Sequence, residues 1–114
     1  MDDNLYYSSI LRLNDGLSFL IDLPNKVVRN VYKSNKLITK EASYDEVCEI
    51  FTNTFNLKKT FHDKFIRFLT NMNPSYEKFN LNIDYVNNDD FLVNVLFSGI
   101  RIDKNSVILC ARVD

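Results

Sequence analysis

Phe79, Leu81, Ile83 and Tyr85 alternate with Asn80, Asn82 and Asp84. This is the most regular period of two in the chain, and it predicts a strand with one buried face. Asn87-Asn88-Asp89-Asp90 follows as a turn. Phe91, Val93, Val95 and Phe97 then alternate with Leu92, Asn94 and Leu96, predicting the returning strand. Ser98-Gly99 is expected to break or bulge it. Ile100 and Ile102 lead to a turn at Asp103-Lys104-Asn105, and residues 107–113 predict a last strand.

The N-terminal third has the same character. LYYSSILRL (5–13) and LSFLIDL (17–23) flank Asn14-Asp15-Gly16, a hairpin signal. In the second run Leu17, Phe19, Ile21 and Leu23 share one face, and Pro24 ends it. Val27, Val28, Val31 and Tyr32, then Leu37, Ile38 and Thr39, predict a second hairpin over 26–33 and 36–41 that turns at Ser34-Asn35. The i, i+4 spacing of Val27, Val31 and Asn35 offers a helix as the rival reading; the β-branched content favours strands.

Between these β regions the period changes. Ser43-Tyr44-Asp45-Glu46 is a capping box, and Tyr44, Val47, Phe51 and Phe55 form one helical stripe ending near Asn56. Thr60 is expected to cap a second helix whose stripe is Phe61, Phe65, Phe68, Leu69 and Met72, ending at Asn71-Met72-Asn73-Pro74. One long helix kinked near Leu57 is the alternative. Strands, then two helices, then strands predict an α+β fold. The expectation is a single domain over 1–114, with an antiparallel sheet of about five to seven strands, both helices on one face and a polar face opposite.

Composition narrows the class. The chain has 114 residues, 46% hydrophobic and 25% charged, ordinary for a globular domain with one core. Two Gly and two Pro leave the turns to Asn and Asp. No apolar run approaches the length of a membrane span, and the acidic start MDDNLYY does not read as a targeting signal. Cys48 and Cys110 both fall in apolar patterns and read as free thiols in a reducing, cytoplasmic setting. Sequence does not say whether they are close.

Catalytic constellations are missing from the pattern. The single histidine, His62, is placed on the solvent side of the second helix, with no nucleophile tied to it by spacing. The pair His62-Asp63 lacks the further histidines that a metal-dependent phosphohydrolase requires. Two separated Cys and one His do not make a zinc site, and two glycines do not make a phosphate-cradling loop. The expectation is a non-enzymatic protein with no metal and no cofactor.

Charge is where the sequence is unusual. Net charge is −1, yet residues 25–40 hold five bases (Lys26, Arg29, Lys33, Lys36 and Lys40) and no acid. Residues 41–57 hold Glu41, Asp45, Glu46 and Glu49 and no base. The plainest reading is that the two blocks offset one another across a shared surface, at about 0 to 1 kcal/mol per exposed pair. A second reading merges the basic hairpin with the polar face of the second helix into a phosphate-tracking patch, with Tyr32 as a stacking surface. A third is protein binding through an exposed aromatic, either Tyr6 or Tyr7, together with the acids Asp45, Glu46 and Glu49.

In its small size, Asn-rich composition and block charge the chain resembles the compact inhibitors that phages and other mobile elements make against host defence enzymes, such as anti-CRISPR proteins. That resemblance implies a protein-binding module that inhibits a host nucleic-acid enzyme, its acids imitating phosphates. Nucleic-acid binding through residues 25–40 is the alternative, and a homodimeric structural protein that pairs edge strands is the third. Partner, strand order and the choice between monomer and homodimer are not legible from the sequence.

Overall fold

A computed structural model describes residues 16–71 and 78–113; the expected first strand at 5–13, with Tyr6 and Tyr7, lies outside them. The order is β1 (Leu17–Asp22), β2 (Val27–Lys33), β3 (Lys36–Ser43), α1 (Tyr44–Thr54), a 3-10 turn (Lys59–Phe61), α2 (His62–Thr70), β4 (Lys78–Val86), β5 (Leu92–Asp103) and β6 (Ser106–Val113). Among the described residues the strands form one antiparallel sheet, ordered β3-β2-β1-β6-β5-β4. Two meanders are thus joined where β1 pairs with β6. This is the α+β fold that the sequence predicts.

The hairpin reading of residues 26–40 holds. Ser34 and Asn35 turn it with φ of 50° and 72°, a double left-handed pair that suits a two-residue hairpin. Asn30, at φ 52°, adds a residue to β2, and the β1–β2 register shifts between Ser18 and Leu20. The bulge keeps Val31 with the helix-side core and sends Tyr32 to the opposite face, paired with Ser18.

Both helices cover one face. α1 lies against β2 and β3. Ser43 Oγ accepts from the Glu46 N–H at 3.1 Å, and Glu46 Oε1 accepts from the Ser43 N–H at 3.2 Å; the capping box is complete. The helices are separate, broken at Asn56 (φ 54°). Thr60 is not a cap: it lies inside the 3-10 turn, whose N-cap is Lys58 with no side-chain bond. The tighter turn begins at Lys59, two residues before the helix that Thr60 could have capped.

The core is aromatic. The Phe51 ring stacks on Phe65 at 4.2 Å and meets Tyr85 and Phe97 at 5.5 and 5.7 Å. Phe68 meets Phe97 at 4.9 Å. Phe51 therefore ties α1 to α2 and to the β4–β5 hairpin.

Two expectations change. The opposite face is not uniformly polar: Tyr32 and Ile108 are buried there beside Leu20, Ile102 and Cys110. That cluster rests on the inner strands β1, β2, β5 and β6, where neighbours shield both faces. Ser98-Gly99 neither breaks nor bulges β5, since both residues pair in register with β4 and β6; the irregularity lies further on, between Arg101 and Asp103.

Candidate functional site: an acidic cleft on the first helix

Asp45, Glu46 and Glu49 stand on the exposed side of α1. Asp45 and Glu49 are four residues apart and Glu46 and Glu49 three, so they share one helical face. They line an open cleft of about 590 Å³ together with half-buried Ile50 and with His62 from the start of α2. Like charges at this spacing destabilise a helix by about 0.2–0.5 kcal/mol. The helix N-terminus offsets part of this for the first-turn acids, Asp45 and Glu46. Glu46 also closes the capping box. Among the described residues Asp45 and Glu49 are in no bond of that kind.

His62 is half-buried against α1 and not simply solvated, as its helical phase suggests. Its Nε2 lies 3.1 Å from Thr52 Oγ1. The Thr52 hydroxyl also reaches the carbonyls of Cys48 and Glu49, at 3.1 and 3.2 Å. Those carbonyls only accept, so the single hydroxyl proton goes to them and Nε2–H donates to Thr52. Cys48 lies close by, with Sγ 3.8 Å from the His62 carbonyl oxygen. Burial first, then the Asp45 and Asp63 carboxylates, push this thiol up to about 12. A thiol held protonated at neutral pH is a poor nucleophile. The Cys48–His62 proximity is thus a packing contact between the two helices. Sequence reasoning missed it. The only signal was Thr52 four residues after Cys48 in the first helix.

The basic segment is arranged differently. Arg29 is committed inside the sheet, donating to Glu41 Oε1 at 2.7 Å and to Asp22 Oδ2 at 3.2 Å. The Asn25 side chain, and after it Arg29, holds the Asp22 carboxyl below its ordinary range against the opposing effect of burial. Lys26 lies in the turn before β2, while Lys33 and Lys36 face each other at the far hairpin turn. At the rise of a strand those ends are about 20 Å apart. Tyr32 is only 9% exposed, packed against Ile108; the bulge that turns it inward removes it as a stacking surface.

The hairpin does not merge with the second helix either. α1, with its acids, lies over β2 and β3. Lys58 and Lys64 turn to the other end of the sheet. Lys58 pairs with Asp90. Lys64 Nζ reaches the Asp84 carbonyl at 3.3 Å and stands 5.0 Å over the Tyr85 ring. The two charge blocks offset one another at Arg29–Glu41, among the described residues, and not at the helix acids. The ion pairs among the described residues are Arg29–Asp22, Arg29–Glu41 and Lys58–Asp90, so Asp45, Glu46 and Glu49 are in none of them.

Cys48 belongs to the helix-side core and Cys110 to the opposite face, both as free thiols. Among the described residues no three His, Cys, Asp or Glu side chains are grouped to hold a metal ion, and no helix is long and apolar enough to cross a membrane. No protein-family model matches the chain, and no curated protein matches it in sequence.

Proposed function

We propose that this protein is a non-enzymatic binding module that presents the acidic face of α1 to a basic segment of a partner protein. The supporting observation is the unneutralised trio Asp45, Glu46 and Glu49 at the mouth of an open cleft. An exposed like-charge array without local counter-ions raises the rate of encounter with positive partners and rejects negative ones. Ile50 gives the cleft an apolar wall for the stem of an Arg or Lys, and the carboxylates accept its head group. Inhibition of a nucleic-acid enzyme, with these carboxylates standing where phosphates would bind, is the specific form of this reading that the charge pattern favours.

Nucleic-acid binding through Lys26, Arg29, Lys33, Lys36 and Lys40 is the weaker reading. Arg29 is internally paired, Tyr32 is buried, Lys26 lies at the opposite end of β2 from Lys33 and Lys36, and Lys40 stands between them within β3.

Fluorescence anisotropy with a labelled oligo-arginine peptide, and separately with labelled DNA and RNA, tests the choice. The expected result is salt-sensitive peptide binding that is lost in the double variant Asp45→Asn/Glu49→Gln, with no binding to nucleic acid. Salt-sensitive nucleic-acid binding abolished by Lys33→Glu/Lys36→Glu would overturn the proposal, as would peptide binding indifferent to the acidic pair.

A further inference from the structure

We infer that two copies of this chain join edge to edge through β4, antiparallel, about a two-fold axis beside Leu81. Among the described residues the two outer strands of the sheet are β3 and β4. β3 is a poor template for self-pairing: its register breaks opposite Val31/Tyr32, and it carries Lys36 and Lys40. β4 pairs with β5 over nine consecutive residues without a shift. It contains no Pro, and Leu81 at its centre is 41% exposed.

The backbone tells which part of β4 is open. Lys58 N–H bonds the Val86 carbonyl at 3.1 Å, and Lys64 reaches that of Asp84. Even-numbered residues therefore turn their peptide groups away from β5. Lys78, Asn80 and Asn82 do the same, and no partner occupies their outward N–H and C=O groups among the described residues. The open edge runs over 78–84, and Leu81 is its midpoint.

That midpoint selects the register. Centred on Leu81, the two strands set Lys78 opposite Asp84 of the second copy, twice by symmetry. Asn80 faces Asn82, and Leu81 faces its own copy at a non-hydrogen-bonded position, where side chains come closest. Both charges of the segment are matched. Centring on Asn82 would instead require the Val86 carbonyl, which Lys58 occupies. Asp84 Oδ1 accepts from Asn94 at 2.9 Å, which leaves Oδ2 for Lys78. Only the flexible Lys64 side chain has to swing off the Asp84 carbonyl. Leu81 lies on the helix side beside Ile83, so the two cores would extend toward one another across the axis.

Light scattering and sedimentation across a concentration series test this. The expected result is twice the monomer mass, reverting to monomer in Leu81→Lys with an unchanged far-UV spectrum and a melting temperature that no longer depends on concentration. Lys78→Asp should weaken dimerisation by roughly tenfold, and adding Asp84→Lys should restore it, since two cross-strand charge pairs are first reversed and then remade. Leu81→Cys should give a disulfide-linked dimer on oxidation, because directly opposed residues at such a position lie within bridging distance. A monomer at every concentration would overturn the inference. So would a dimer that survives Leu81→Lys and is dispersed by Ile38→Lys on β3. Asp45→Asn/Glu49→Gln should leave the dimer intact, so the dimer and the acidic binding face stand or fall separately.

Discussion

The two meanders of the sheet are built from the same number of strands and behave as opposites. In β1–β2–β3 the ladder is interrupted twice, at Asn30 and near Ile38, and a charged side chain, Arg29, ties three strands together through Asp22 and Glu41. In β4–β5 nine residue pairs run without a shift, and the exposed cross-strand contacts are neutral or singly charged: Ser98–Asn80 and Asn94–Asp84, each 2.9 Å. Bulges and lysines twist and charge an edge so that it does not pair again. The first meander has both protections. The second has no bulge along β4 and only Lys78 and Lys64 as charges at the two ends of its described edge. The difference separates a described edge that is bulged, beside which the acidic helix stands, from one that runs without a bulge.

Phe51→Ala should have the largest effect and should strike the second meander hardest. The ring sits in α1 but touches Phe65, Tyr85 and Phe97. Its loss should cost about 3–5 kcal/mol, with hydrogen exchange accelerating in β4 and β5 before β2 and β3. Equal acceleration in both halves would show that the meanders unfold as one unit.

Gly16→Ala probes the joint between the halves. A Cβ there would collide with the Ala111 carbonyl oxygen and meet the Arg112 Cα at 3.0 Å. Both are backbone, so β1 and β6 must separate. A loss of about 1–3 kcal/mol in chemical denaturation is expected, the scale of overpacking. An unchanged midpoint would mean that the seam between the meanders is pliable.

Ser43→Ala removes one half of the capping box on the helix that belongs to the first meander, and should cost about 1 kcal/mol. Ser43→Asp should restore most of it, because its carboxylate can accept from the same N–H.

The smallest effect concerns the Arg29 cluster. Because the folded state lowers the Asp22 carboxyl from 3.8, its contribution is present above the unfolded value and is lost as pH falls through the folded one. Stability should therefore decline below about pH 4 through this group. Asp22→Asn should flatten that part of the acid limb while leaving neutral-pH stability lower. An acid limb identical to wild type would show that the charges of the first meander contribute nothing to its closure.

Much of the fold was legible because it depends on local chemistry. Alternation in 79–86 and 91–97, the Ser34-Asn35 turn and the reciprocal Ser43/Glu46 cap are all written within a few residues. Thr60 misled because a serine or threonine before a helix also suits a 3-10 turn, and the two differ only in backbone geometry. The acids Asp45, Glu46 and Glu49 were visible as a block. Whether bases reached them was not, because that depends on where a hairpin and a second helix dock.

The sequence by itself determined the element types, the capping of α1 and the separation of charge into blocks, since period, turn residues and charge are properties of neighbouring positions. The tertiary structure decided the rest. It buried Tyr32 through a one-residue bulge, spent Arg29 on acids twelve and seven residues away and, among the described residues, left Asp45, Glu46 and Glu49 outside the ion pairs and β4 at the rim. Each of these follows from strand order and register, which long-range pairing selects and which no local stretch of the chain encodes.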